Sequence, residues 1–145
     1  MKILLDTSVL LPGFRYPGLE EKLMGKLLAQ GITPVVTDYI IEEPRENIKE
    51  HYTERERAIA LDLFLELLAL GVLEIKTLED YIDNLDEASR YVPEKDAPIL
   101  AAVMLPDIDL FITKDEKHFI KNQKLQNTPW QKKIKHLSDY LAEVS

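Results

Sequence analysis

Short apolar runs alternate along this chain with longer stretches whose apolar residues recur every three or four positions. Ile3, Leu4 and Leu5 form a continuous apolar run, the pattern of a strand buried on both faces. Pro12, Gly13, Pro17 and Gly18 mark a loop after it. Leu19, Leu23 and Leu27 then recur at i, i+4 and i+8, which predicts an amphipathic helix ending near Gly31. Residues 32–36 read as a second strand, stopped by Thr37, a suitable N-cap for a helix running on from Asp38. Residues 54–70 predict a long helix with Ile59, Leu63, Leu67 and Leu70 on one stripe and Gly71 as its stop. A third strand is expected at 72–75, and a weaker helical stretch at 79–91 is interrupted by Pro93. Another helix begins near Asp96 and carries Ile99, Leu100 and Val103. Residues 109–113 make a fourth strand and 133–137 a short fifth, with Ser138 capping a last helix over 139–144.

Strands alternating with helices predict an α/β fold with a parallel sheet of about five strands, covered on both faces and joined by right-handed crossovers. There is no internal repeat, low-complexity tract or linker, so residues 1–145 are expected to form a single domain. In open parallel sheets functional groups collect beyond the carboxyl ends of the strands, near the switch in strand order. Four acids fall at such places. Asp6 ends strand one, Asp115 lies just past strand four, Glu43 lies on the helix entered from strand two, and Asp96 opens the helix leading to strand four.

Composition narrows the chemistry. The chain has no cysteine, which removes disulfide scaffolds, thiolate zinc sites and cysteine nucleophiles. The opening apolar run is too short for a signal peptide, and no stretch approaches the ~20 apolar residues of a membrane span, so a cytoplasmic protein away from membranes is expected. The formal net charge of −8 speaks against a nucleic-acid partner until its distribution is considered. Residues 114–136 carry seven lysines against Asp115 and Glu116, a local balance of +5 that leaves −13 on the rest. A basic segment beside an acidic body fits a polyanion laid across a metal site, although a lysine-rich stretch by itself is usually a solvated loop.

Taken singly, each acid has a plainer role. Asp6 could cap a turn with Thr7 and Ser8, and Glu43 could be a solvated helix residue, with Glu42 as its rival. Asp96 could favour a helix start through the macrodipole, and Asp115 could sit in a surface turn. Brought together, four carboxylates repel, and each desolvated anion is costly. A hard divalent cation resolves that conflict. Mg²⁺ or Mn²⁺ takes oxygen ligands and keeps waters, leaving positions for phosphate oxygens and an attacking water.

These residues carry a family likeness. Asp6-Thr7-Ser8-Val9-Leu10 after the opening strand resembles the start of PIN domains. Residues 37–43, Thr-Asp-Tyr-Ile-Ile-Glu-Glu, resemble their second motif, an alignment that favours Glu43 over Glu42. Residues 94–102, Glu-Lys-Asp-Ala-Pro-Ile-Leu-Ala-Ala, resemble the third, and 110–115, Leu-Phe-Ile-Thr-Lys-Asp, the fourth. Two positions depart from the pattern: Glu94 stands where many relatives carry Asp, and Pro44 follows Glu43 where a helix former is usual. The resemblance covers nearly the whole chain. It implies a three-layer α/β/α fold and an Mg²⁺- or Mn²⁺-dependent ribonuclease, as in VapC-like toxins of toxin–antitoxin pairs. The metal ligands would be Asp6, Glu43, Asp96 and Asp115, with Thr7, Ser8, Thr113 and Glu94 in support. Lys114, Lys117, Lys121 and Lys124 would meet RNA, and an antitoxin protein and a second copy of the chain are further expected partners.

Other constellations are poorer. His51, His118 and His136 lack the i, i+4 zinc spacing and read as ordinary residues, His118 being close enough to Asp115 to lie near the site. No glycine-rich phosphate loop occurs, and Ser8 has no triad around it. The competing functions are a PIN-like RNA- or protein-binding module without turnover and, more remotely, a phospho-receiver domain. Asp6 has no acidic neighbour and strand three runs into Lys76-Thr77, which disfavours the receiver.

Overall fold

A computed structural model describes residues 1–6, 9, 25–39, 69 and 71–144. Its strands are β1 (Lys2–Leu5), β2 (Thr33–Thr37), β3 (Glu74–Lys76), β4 (Leu110–Thr113) and β5 (Ile134–His136). They pair in parallel in the order β3-β2-β1-β4-β5 and, flanked by helices, make a three-layer α/β/α fold. The three inner strands explain the continuous apolar runs. Ile3, Leu4, Leu5, Val35, Val36, Phe111 and Ile112 are buried outright, because both sheet faces are covered. The edge strands β3 and β5 are only partly buried.

Pro34 sits in an inner strand without breaking the ladder. The amide of Thr33 donates to the Met1 carbonyl, so strand alternation turns the next amide position toward β3. That strand begins pairing only at Val35, opposite Glu74. Helical residues 25–29 end at Gly31, whose φ of 71° is the left-handed conformation glycine adopts freely. Ile32 N–H then reaches back to the Leu27 carbonyl and Gly31 N–H to that of Leu28, a helix-ending pair that also launches β2.

The expected helix at 79–91 is divided into α1 (Leu78–Tyr81), a 3₁₀ turn (Ile82–Asn84) and α2 (Leu85–Ala88). Thr77 and Asp80 form a capping box at its head. Asp38, just past β2, accepts bonds from the Leu78 amide (2.8 Å) and the Tyr81 hydroxyl (2.6 Å), fixing this unit to the sheet. Where the helix breaks, the Asn84 side chain donates to the Ala101 carbonyl. After a second 3₁₀ turn (Glu94–Asp96), α3 (Ala97–Val103) is apolar nearly all round and buries Ala97, Ile99, Leu100, Ala101, Ala102 and Val103. The Lys133 ammonium caps its far end, donating to the carbonyls of Val103 (3.0 Å) and Leu105 (3.1 Å).

The last helix, α4, corrects the expected start. It spans Leu137–Val144, and Ser138 lies inside its first turn. Burial of Leu137 and Tyr140 draws the helix back to the strand. Its capping acceptor is then the imidazole of His136, whose Nδ1 accepts from the Ser138 amide at 3.1 Å.

Candidate metal centre

The chain leaves β1 toward β2 and β3 on one side, while β4 and β5 lie on the other. The switch point is therefore between β1 and β4, and both strands end in acids. Asp6 continues the ladder by one step, its amide donating to the Ile112 carbonyl at 3.1 Å. Its carboxylate is buried, and its Oδ2 accepts a 2.6 Å bond from the Thr113 hydroxyl. Thr113, at the end of β4, also accepts the amide of Asp115 at 2.9 Å. One buried hydroxyl thus spends its proton on Asp6 and a lone pair on the backbone of Asp115, which couples the two strand ends.

Asp115 opens a wide π-helical turn over Glu116–Ile120. Its Oδ1 accepts the His118 amide at 3.0 Å, and its Oδ2 lies 3.1 Å from His118 Nδ1. Phe119 anchors the turn by packing edge-on against Phe111 of β4, ring centres 5.0 Å apart. With Phe119 held in the core, its neighbour His118 is turned back toward the strand ends.

Asp96 arrives from the segment that precedes α3. Pro93 starts the 3₁₀ turn, the Asp96 amide bonds to the Pro93 carbonyl, and the residue is only 6% exposed. Its Oδ2 lies 3.2 Å from His118 Nδ1, yet this buried oxygen has no hydrogen bond. The contact is an ion pair only when the imidazole is protonated, and Asp115 lies as close to the same nitrogen. Burial pushes the Asp96 carboxyl above its ordinary range; His118 opposes that rise and the Asp115 charge adds to it. One ligating atom from each of Asp96, Asp115 and His118 lies within 4.8 Å of the others.

Asn122 holds the two loops together. Its side-chain amide donates to the carbonyls of Tyr91 and His118, both at 2.8 Å. The segment before Asp96 is thereby tied to the turn that carries His118.

Three of the four expected acids are described, and two of them, Asp96 and Asp115, share a cluster. Asp6 joins them through Thr113 rather than by direct membership. Glu94 is exposed in its turn and lies outside the cluster. Thr7, Ser8, Glu42 and Glu43 lie outside the described residues, as does His51. Lys114, Lys117, Lys121 and Lys124 are all exposed beyond β4, Lys121 pairing with Glu116 at 3.2 Å. Part of the basic segment is structural instead. Lys133 caps α3 and Lys135 pairs with Glu143 at 2.6 Å. His118, which by sequence lies near the site but reads as an ordinary residue, is a member of the cluster. A histidine three residues after a strand-end Asp, followed by a core aromatic, was the available signal.

Two carboxylates and an imidazole near one point could hold a metal ion, and a hydroxyl links a third carboxylate, that of Asp6, to the Asp115 backbone. The orphaned Asp96 oxygen fits that reading, since a bound cation supplies the partner it lacks. Neither protein-family models, curated proteins nor solved structures match this chain.

Proposed function

We propose that this chain is an endoribonuclease dependent on Mg²⁺ or Mn²⁺, held by Asp96 and Asp115 with Asp6 beside them. Glu43 completes the set if the motif alignment applies. The observation that carries this reading is the buried Asp96 oxygen without a hydrogen bond, facing Asp115 and His118 at the switch point of a parallel sheet. A carboxylate desolvated beside a second carboxylate is unfavourable on stability grounds alone, which is the mark of a group kept for its chemistry. Such a cation, when bound, acidifies a coordinated water and offsets charge building on a phosphodiester.

The residues' own tasks follow from their contacts. Thr113 fixes the rotamer of Asp6 by donating to one oxygen. Asp115 is oriented by the His118 amide, and Asp96 is aimed by the turn after Pro93. Lys114, Lys117, Lys121 and Lys124 are exposed on the segment that follows β4, where phosphates of a bound strand would meet them. The four motifs resembling PIN domains support RNA as the substrate. They also support a toxin paired with an antitoxin protein, and a homodimer, as the wider setting.

The test is cleavage of mixed RNA by the purified chain with Mn²⁺, comparing wild type with Asp6→Asn and Asp115→Asn. Cleavage should vanish in both variants while circular dichroism shows them folded. Wild-type activity in folded Asp6→Asn would remove the proposal. A wild-type chain that binds Mn²⁺ and RNA yet cuts nothing would be a binding module instead.

A further inference from the structure

We infer that His118 is an inner ligand of the bound ion, through Nδ1 with the ring hydrogen on Nε2, and that it tunes the centre toward Mn²⁺ and related transition cations over Mg²⁺. This rests on the metal-dependent reading above and adds the identity of the preferred ion. Two observations and one geometric match carry it. Nδ1 is 3.1 Å from Asp115 Oδ2 and 3.2 Å from Asp96 Oδ2, so one nitrogen faces carboxylates from two separate loops. Adjacent ligands of an octahedral ion with bonds of about 2.1 Å are themselves separated by about 3.0 Å, close to both spacings. Finally, the Asp96 oxygen in this trio is buried and lacks a hydrogen bond, which leaves a ligand atom aimed at the same point.

The ring is also held in place. The His118 amide is bound to Asp115, its carbonyl is bound by Asn122, and Phe119 beside it is locked on Phe111. A ligand positioned this way loses little freedom on coordinating. Nitrogen donors favour borderline transition cations, whereas Mg²⁺ prefers oxygen and gives up its waters reluctantly.

The experiment is metal titration of the full chain by calorimetry, with pulsed electron paramagnetic resonance of bound Mn²⁺. Wild type should bind Mn²⁺ about tenfold or more tightly than Mg²⁺. The Mn²⁺ spectrum should show coupling to a ¹⁴N nucleus that becomes ¹⁵N coupling after labelling of histidine. His118→Gln should weaken Mn²⁺ binding about tenfold or more and barely change Mg²⁺ binding, while His136→Gln keeps the nitrogen coupling. His118→Asp should bind both ions with the preference for Mn²⁺ lost. Tight Mn²⁺ binding without nitrogen coupling in wild type would overturn the role of His118 and leave the carboxylate site standing. Binding of neither ion at millimolar concentration would remove both readings.

Discussion

Replacing Asp96 by Asn should make the metal-free protein more stable and the metal-loaded protein less so. The side chain keeps its size. In the wild type a buried carboxylate oxygen has no hydrogen bond, and Asp115 is a like charge beside the same imidazole. An unsatisfied buried polar group costs about 1–3 kcal/mol, and Asn also removes the like charge that faces Asp115. Loss of the attraction to His118 works in the opposite direction, so a net gain of about 1–2 kcal/mol is expected. For a chain of this size that raises the melting temperature by about 2–8 °C. Saturating cation reverses the order. A ligand at about a hundred times its Kd stabilises by roughly 2.7 kcal/mol, which wild type should gain and the variant largely forgo. The assay is thermal unfolding of both proteins in EDTA and in excess Mn²⁺, at one fixed pH. A variant less stable than wild type in EDTA would show that the Asp96 oxygen is not an uncompensated charge. Equal stabilisation of both proteins by Mn²⁺ would show that Asp96 is not a ligand.

Thr113→Val should lower RNA cleavage roughly 10- to 100-fold, because Asp6 and Asp115 lose the hydroxyl that joins them, and should cost about 1–3 kcal/mol in urea unfolding. Unchanged turnover would mean the bridge is only structural. Asn122→Ala should weaken Mn²⁺ binding about tenfold in calorimetry without touching any ligand, since it releases the Asp96 segment from the His118 turn; unchanged affinity would show that the segments stay registered without it. At the opposite end of β1, hydrogen bonds from Lys76 (2.6 Å) and Lys2 (3.2 Å) hold the Asp107 carboxyl below its ordinary range. A depressed carboxyl stabilises the fold above its unfolded pKa and loses that contribution as pH falls through its folded value. Wild type should therefore lose its advantage over Asp107→Asn in acid, by about 1 kcal/mol or less because the group is part-exposed; a gap independent of pH from about 7 to 2 would contradict the pairing.

Hydrophobic period is a local property, and it placed all five strands within two residues of where they form. It did so because a strand buried on both faces must be apolar throughout, as Ile3–Leu5 and Phe111–Ile112 are. Strand ends are equally local, so Asp6 and Asp115 could be assigned to one edge of a parallel sheet from the chain alone. The partners of those acids were another matter. His118 carries no metal-ligand spacing with another histidine, and its role emerges only when Phe119 docks on Phe111 and the turn closes over Asp115. Asn122 looks like an ordinary loop residue until its amide is found bonded to the carbonyl of Tyr91, thirty-one positions away. The lysine-rich segment read as one basic surface, whereas α3 needed a cap for its last carbonyls and took Lys133. Ser138 likewise ceded its capping place to His136 once Leu137 was buried. Periodicity and turn chemistry depend on neighbours along the chain, and one sequence contains them. A buried polar atom takes whichever partner the packing of distant elements brings within about 3 Å, and that choice belongs to the tertiary structure.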